Sequence, residues 1–121
     1  MGVFRIPVEF ANPDGTRAVT VEAFADTGAT VCQLPRALAE QIGLVADNTR
    51  CFHLADGQEV RLDIAPGRVA VLGDFTRCDI AIGGESAEPI LGSVALEQMA
   101  LGVDPVHETL IPAKMWLLAA A

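Results

Sequence analysis

Tyrosine is absent from this chain of 121 residues, and aromatic residues of every kind make up only 5% of it. The interior therefore has to be built from Val, Leu, Ile and Ala. Hydrophobic residues reach 51%, which suits a globular fold and excludes a disordered one. Basic residues are scarce too: 8 Lys and Arg stand against 16 Asp and Glu, a formal net charge of -8. With no basic cluster, a phosphate backbone or an anionic membrane surface would be repelled, so neither nucleic acid nor membrane is expected as a partner. The charge reads instead as an aid to solubility.

Long hydrophobic runs are missing. No stretch approaches the roughly 20 apolar residues of a membrane-spanning helix. Residues 1–10 carry Arg5 and Glu9 and no apolar core, so they do not read as a secretory leader. The expected location is cytoplasmic. Cysteine is limited to Cys32, Cys51 and Cys78, too few and too odd a number for a disulfide framework. They read as reduced and mostly buried. Cys51-x-His53, even with His107, fits none of the usual zinc spacings, so no metal is expected. A glycine-rich phosphate loop is lacking as well, and no cofactor is expected.

What is present is a succession of short strands. Residues 3–10 and 18–25 alternate apolar and polar positions around the turn Asn12-Pro13-Asp14-Gly15, which predicts a hairpin. In the second strand Val19, Val21, Ala23 and Ala25 share a face. Residues 30–34 form a short apolar strand. Pro35 suits a first helical turn, residues 37–42 continue it, and Gly43 suits a left-handed cap. Residues 50–54 and 59–64 flank an Asp56-Gly57 turn, and residues 68–72 and 75–82 flank Gly73-Asp74. Pro89-Ile90-Leu91-Gly92 leads into a second helix, with Ser93 as its expected N-cap and Gly102 as its stop. The length fits one domain, residues 1–121. Seven or eight strands with two short helices predict a mainly β fold.

One acidic residue stands out by its context. Asp26 follows the apolar pair Phe24-Ala25 and precedes Thr27-Gly28-Ala29. By spacing alone it reads as a turn whose carboxylate accepts local backbone N–H groups. The four residues Asp26-Thr27-Gly28-Ala29 also resemble the active-site signature of the retropepsin-like aspartic peptidases. Further pieces follow in that family's order: residues 31–44, a hairpin tip Ala55-Asp56-Gly57-Gln58, the apolar Ile90-Leu91-Gly92, and Leu101-Gly102-Val103-Asp104-Pro105 running on to Thr109-Leu110-Ile111-Pro112. The resemblance spans roughly residues 3–112.

This resemblance implies a small closed barrel with one or two short helices and an aspartic endopeptidase activity. Water is a poor nucleophile toward an amide. One carboxylate must take its proton while a second, protonated one polarises the carbonyl. Two carboxyls about 3 Å apart share a single proton, as aspartic-protease dyads in general do. The chain holds only one Asp-Thr-Gly, so the second Asp26 would come from another copy in a homodimer. By resemblance, Thr27 would hydrogen-bond across the two-fold axis and Gly28 would let the backbone approach the substrate, with Ala29 completing the loop. Ala55, Asp56, Gly57 and Gln58 would form a flap over an extended peptide or protein substrate, and Ile90 would wall a side-chain pocket. Residues 114–121, with Trp116, read either as a segment that interleaves with a second copy, as chain termini do in retroviral members, or as a frayed tail. The alternative is a non-catalytic peptide-binding or interaction module on the same fold.

Overall fold

The computed structural model describes residues 3–120; Met1, Gly2 and Ala121, the outer ends of the expected domain and tail, lie outside them. Apolar–polar alternation and turn residues set the first half of the chain. Strand β1 (Phe4–Ala11) and strand β2 (Ala18–Ala25) pair antiparallel along their whole length. Gly15 takes φ +76° in the connecting turn. Strand β3 (Cys32–Pro35) runs into helix α1 (Arg36–Gln41), with Pro35 just outside as the N-cap. Gly43, at φ +74°, ends that helix as its sequence predicts.

Strand β4 (Asn48–His53) and strand β5 (Glu59–Val71) form the next hairpin. The sequence predicts two strands here, residues 59–64 and 68–72. The structure has one strand of 13 residues. It pairs with β4 up to Ile64 and with β1 from Arg68 onward, so Pro66 and Gly67 fall where β5 changes neighbours on one side. A proline is tolerated where no ladder partner waits for its missing N–H. A Cβ on Gly67 would run into the Ile80 side chain, so the corner needs glycine.

Strand β6 (Asp74–Gly83) follows a tight turn with Leu72 at φ 53° and Gly73 at φ 79°. Strand β7 (Ile90–Leu91) leads into helix α2 (Ser93–Gln98). Ser93 is the first helical residue and not the N-cap: Gly92 occupies that position and no side chain caps the helix. Nor does Gly102 stop it. Ala100, at φ 57°, makes the left-handed turn, and Gly102 lies within strand β8 (Leu101–Asp104). Strand β8 pairs only with strand β9 (Thr109–Pro112), as a separate two-stranded sheet.

The order in the large sheet is β1-β2-β7-β3-β6-β5-β4, and β1 also pairs with β5. Six strands thus pair in a ring that returns to its start, while β4 hangs outside it as an edge. The inward faces meet in one core. Phe10, Leu34, Ile42, Ile80, Leu91 and Leu96 are its largest fully buried side chains. Each contributes about 1.5–3 kcal/mol by leaving water. Among the described residues no polar or charged side chain is buried, and no helix is long and apolar enough to cross a membrane.

Candidate active site

Asp26 leaves β2 at the end that pairs with β7, where Phe24 lies beside Ile90 and Ala25 beside Leu91. Its backbone N–H donates to the Leu91 carbonyl at 3.0 Å, which extends the pairing one residue beyond the strand. Its side chain turns back on its own loop. Gly28 N–H donates to Asp26 Oδ1 at 2.8 Å, and Ala29 N–H donates to the Asp26 carbonyl at 3.2 Å. The local-turn geometry read from the sequence is therefore present, and it fixes the carboxylate of a half-buried residue. A Cβ on Gly28 would come within 3.2 Å of Asp26 Oδ1 and crowd that bond.

The loop is tied to helix α2 as well. Ser93 N–H donates to the Ala29 carbonyl at 2.7 Å and Val94 N–H to the Thr30 carbonyl at 3.1 Å. Gly92 N–H reaches Cys32 Sγ at 3.5 Å. The uncapped start of α2 thus finds its acceptors in the Asp26 loop and β3. Gly92 is required for this approach, because a Cβ there would collide with the Val31 carbonyl.

The carboxylate opens on a cleft of about 620 Å³. Asp26, Gly28 and Ala29 contribute from the loop and Ile90 from β7. Leu62, Ile64 and Ala81 supply an apolar wall. The edge strand and its continuation, residues 50–55, form the rim. Of the residues singled out in the sequence, Asp26, Gly28, Ala29, Ala55 and Ile90 meet at this cleft. Thr27, Asp56, Gly57 and Gln58 do not line it. Thr27 is exposed at the loop surface. The tip closes on itself: Leu54 N–H donates to the Gln58 carbonyl at 2.8 Å, Gly57 N–H to the Leu54 carbonyl at 2.9 Å, and Gln58 N–H to Asp56 Oδ1 at 2.9 Å. Gly57 adopts φ +90°, which the turn requires.

Sequence reasoning missed Arg50, Phe52, Leu62, Ile64 and Ala81 as lining residues. The period-2 pattern gave a signal for Leu62 and Ile64, which share a face of β5. Nothing local marks Ala81, which is brought in from β6. The cysteines need one correction. Cys32 is buried and Cys78 half-buried, but Cys51 is exposed, because β4 is an edge strand. All three are free thiols. The Cys78 thiol is pushed well up by its hydrogen bond to Cys32 Sγ at 4.0 Å and by burial, so it stays protonated. Slight desolvation and the neighbouring Glu59 carboxylate raise Cys51.

A family model described as aspartyl protease matches residues 6–95, and the chain belongs to that family. Within it the fold is that of the retropepsin-like peptidases. The chain is similar to the EIAV protease complexed with the inhibitor HBY-793, with a TM-score of 0.60 over 95% of this chain and 93% of that one. At 16% identity that likeness concerns the fold. None of the curated proteins compared matches the sequence.

Proposed function

We propose that this chain is an aspartic endopeptidase that acts as a homodimer, with one Asp26 carboxylate from each copy. The observation that carries the proposal is the Asp26 side chain, held by Gly28 N–H on a loop that borders a peptide-sized cleft. One chain supplies a single such carboxylate, and the chemistry needs two. A two-fold axis beside the loop would set the second Asp26 opposite the first. The exposed Thr27 is available for contact across that axis. The tail after β9 is a further surface for the second copy: Met115, Trp116, Leu117 and Leu118 are 66% to 104% exposed, an apolar run open to solvent.

The reaction then runs as follows. The ionised carboxylate removes a proton from water as the oxygen attacks the scissile carbonyl. The protonated partner donates its proton to the carbonyl oxygen, giving a neutral tetrahedral diol. Transfer of a proton to the amide nitrogen breaks the C–N bond and releases an acid and an amine. The substrate would bind as an added strand along the β4 edge, whose free N–H and C=O groups accept an extended peptide. Phe52, Leu62, Ile64, Ala81 and Ile90 would take apolar side chains.

The test pairs sedimentation of the full chain with mass spectrometry of peptides treated with wild type and Asp26→Asn. A dimer that cleaves peptides and loses cleavage in the variant supports the proposal. A chain that stays monomeric at high concentration, with and without peptide, overturns it. Peptide binding that survives Asp26→Asn, with no cleavage by either protein, marks the non-catalytic module instead.

A further inference from the structure

In the β4–β5 hairpin, His53 lies opposite Glu59 and Cys51 opposite Arg61. Residues two apart on a strand share a face, so these four side chains leave the same side of the hairpin. Glu59 is the cross-strand neighbour of His53 and the diagonal neighbour of Cys51, and it reaches both. Its Oε1 lies 3.5 Å from Cys51 Sγ and its Oε2 lies 3.9 Å from His53 Nδ1. One donor atom from each of the three residues lies within 4.8 Å of the other two. With metal–ligand bonds of about 2.0–2.3 Å, the donors of a tetrahedral zinc centre sit roughly 3.3–3.8 Å apart. The hairpin therefore gathers three donors within about an ångström of that spacing before any ion arrives, and side-chain rotations would close the rest.

The donor types narrow the ion. Thiolate, imidazole and carboxylate together suit zinc and its neighbours, whereas calcium and magnesium take oxygen ligands. Three protein ligands leave a fourth position for water. The His53 and Glu59 side chains are 75% and 64% exposed, so an ion reaches them without opening the fold.

We propose that Cys51, His53 and Glu59 form a binding site for a zinc-class divalent ion on the β4–β5 hairpin. An ion held by ligands from both strands staples the hairpin just below its tip. Cys51 and His53 also line the cleft, so the staple would stiffen the rim over which a substrate passes. That consequence, unlike the site itself, rests on the peptidase proposal.

Titration of the reduced full chain with Co²⁺ tests the site. The expected result is one equivalent bound, with the intense near-ultraviolet absorption of a cobalt–thiolate bond, displaced by Zn²⁺. Cys51→Ser should abolish that absorption, and His53→Ala and Glu59→Gln should each weaken Co²⁺ binding at least about tenfold. Zn²⁺ should also slow amide exchange over residues 50–60. Three results overturn the proposal: no thiolate absorption at one equivalent, absorption that survives Cys51→Ser, or unchanged affinity in both His53→Ala and Glu59→Gln. A parallel cleavage assay separates the two proposals. Zn²⁺ binding in a chain that never cleaves peptides sinks the peptidase and leaves the metal site standing.

Discussion

The loop of residues 26–30 and the hairpin tip of residues 54–58 border one cleft but are held in opposite ways. The loop is anchored to distant parts of the chain: Asp26 to Leu91, Ala29 to Ser93 and Thr30 to Val94. The tip bonds only to itself, and its strand β4 has β5 as its sole neighbour in the sheet. Under the proposed function the carboxylate would have to meet its twin to within a fraction of an ångström, which needs the first arrangement. The rim would have to admit and release a peptide, which needs the second. The difference teaches that stiffness here is set by where the hydrogen-bond partners lie in the sequence. The secondary structure on each side is equally regular.

The largest expected effect comes from Asp26→Asn. Asparagine keeps the Oδ1 acceptor for Gly28 N–H but cannot trade a proton, so peptide cleavage should fall at least about 10²- to 10⁴-fold while the melting temperature holds. A matching loss of stability would break the comparison, because the side chain would then be holding the loop. Gly92→Ala comes next. Its Cβ would meet the Val31 carbonyl, and the overpacking should cost about 3 kcal/mol in urea unfolding. Cleavage should fall with it.

Gly57→Ala probes the other side. Nothing lies within 4 Å of the added Cβ, so only the φ of +90° opposes it. The cost should be about 1 kcal/mol, felt as faster amide exchange at the tip with little change in global unfolding. The smallest effect belongs to a site away from both. Hydrogen bonds from the His107 ring and from the His107 and Val106 N–H groups hold Asp104 below the ordinary 3.8. A carboxyl lowered by folding supports the fold above its unfolded value and loses that support as pH falls through its folded value. Asp104→Asn should therefore melt slightly below wild type at neutral pH, and the gap should close as pH drops below 3.8.

Much of this was legible in the sequence because it is local. Period-2 alternation places β1, β2 and β6, and Asn12-Pro13-Asp14-Gly15 and Gly73-Asp74 mark the turns that precede β2 and β6. Asp26-Thr27-Gly28 marks the loop. The unread features are those in which a distant partner overrides a local preference. Residues 59–64 and 68–72 look like two strands until β5 is seen to run on as it passes from β4 to β1. Ala100 adopts a backbone that Gly102 would adopt more readily. Gly92 resembles any helix-leading glycine until the Val31 carbonyl is placed against it. Cys51 is exposed because its strand is an edge, a property of the sheet order and not of the residues around it.

The pairing of β2 with β7 has a kinetic consequence. Hairpins such as β1–β2 and β5–β6 close over short loops and form within microseconds. Phe24 meets Ile90, and Asp26 meets Leu91, only after more than half the chain has been gathered in, the slower kind of event. The acid loop is therefore set in place late, and under the proposed function an emerging polypeptide would be inactive toward its neighbours until its last third had docked. In stopped-flow refolding, the far-ultraviolet circular dichroism signal should recover before competence to bind peptide.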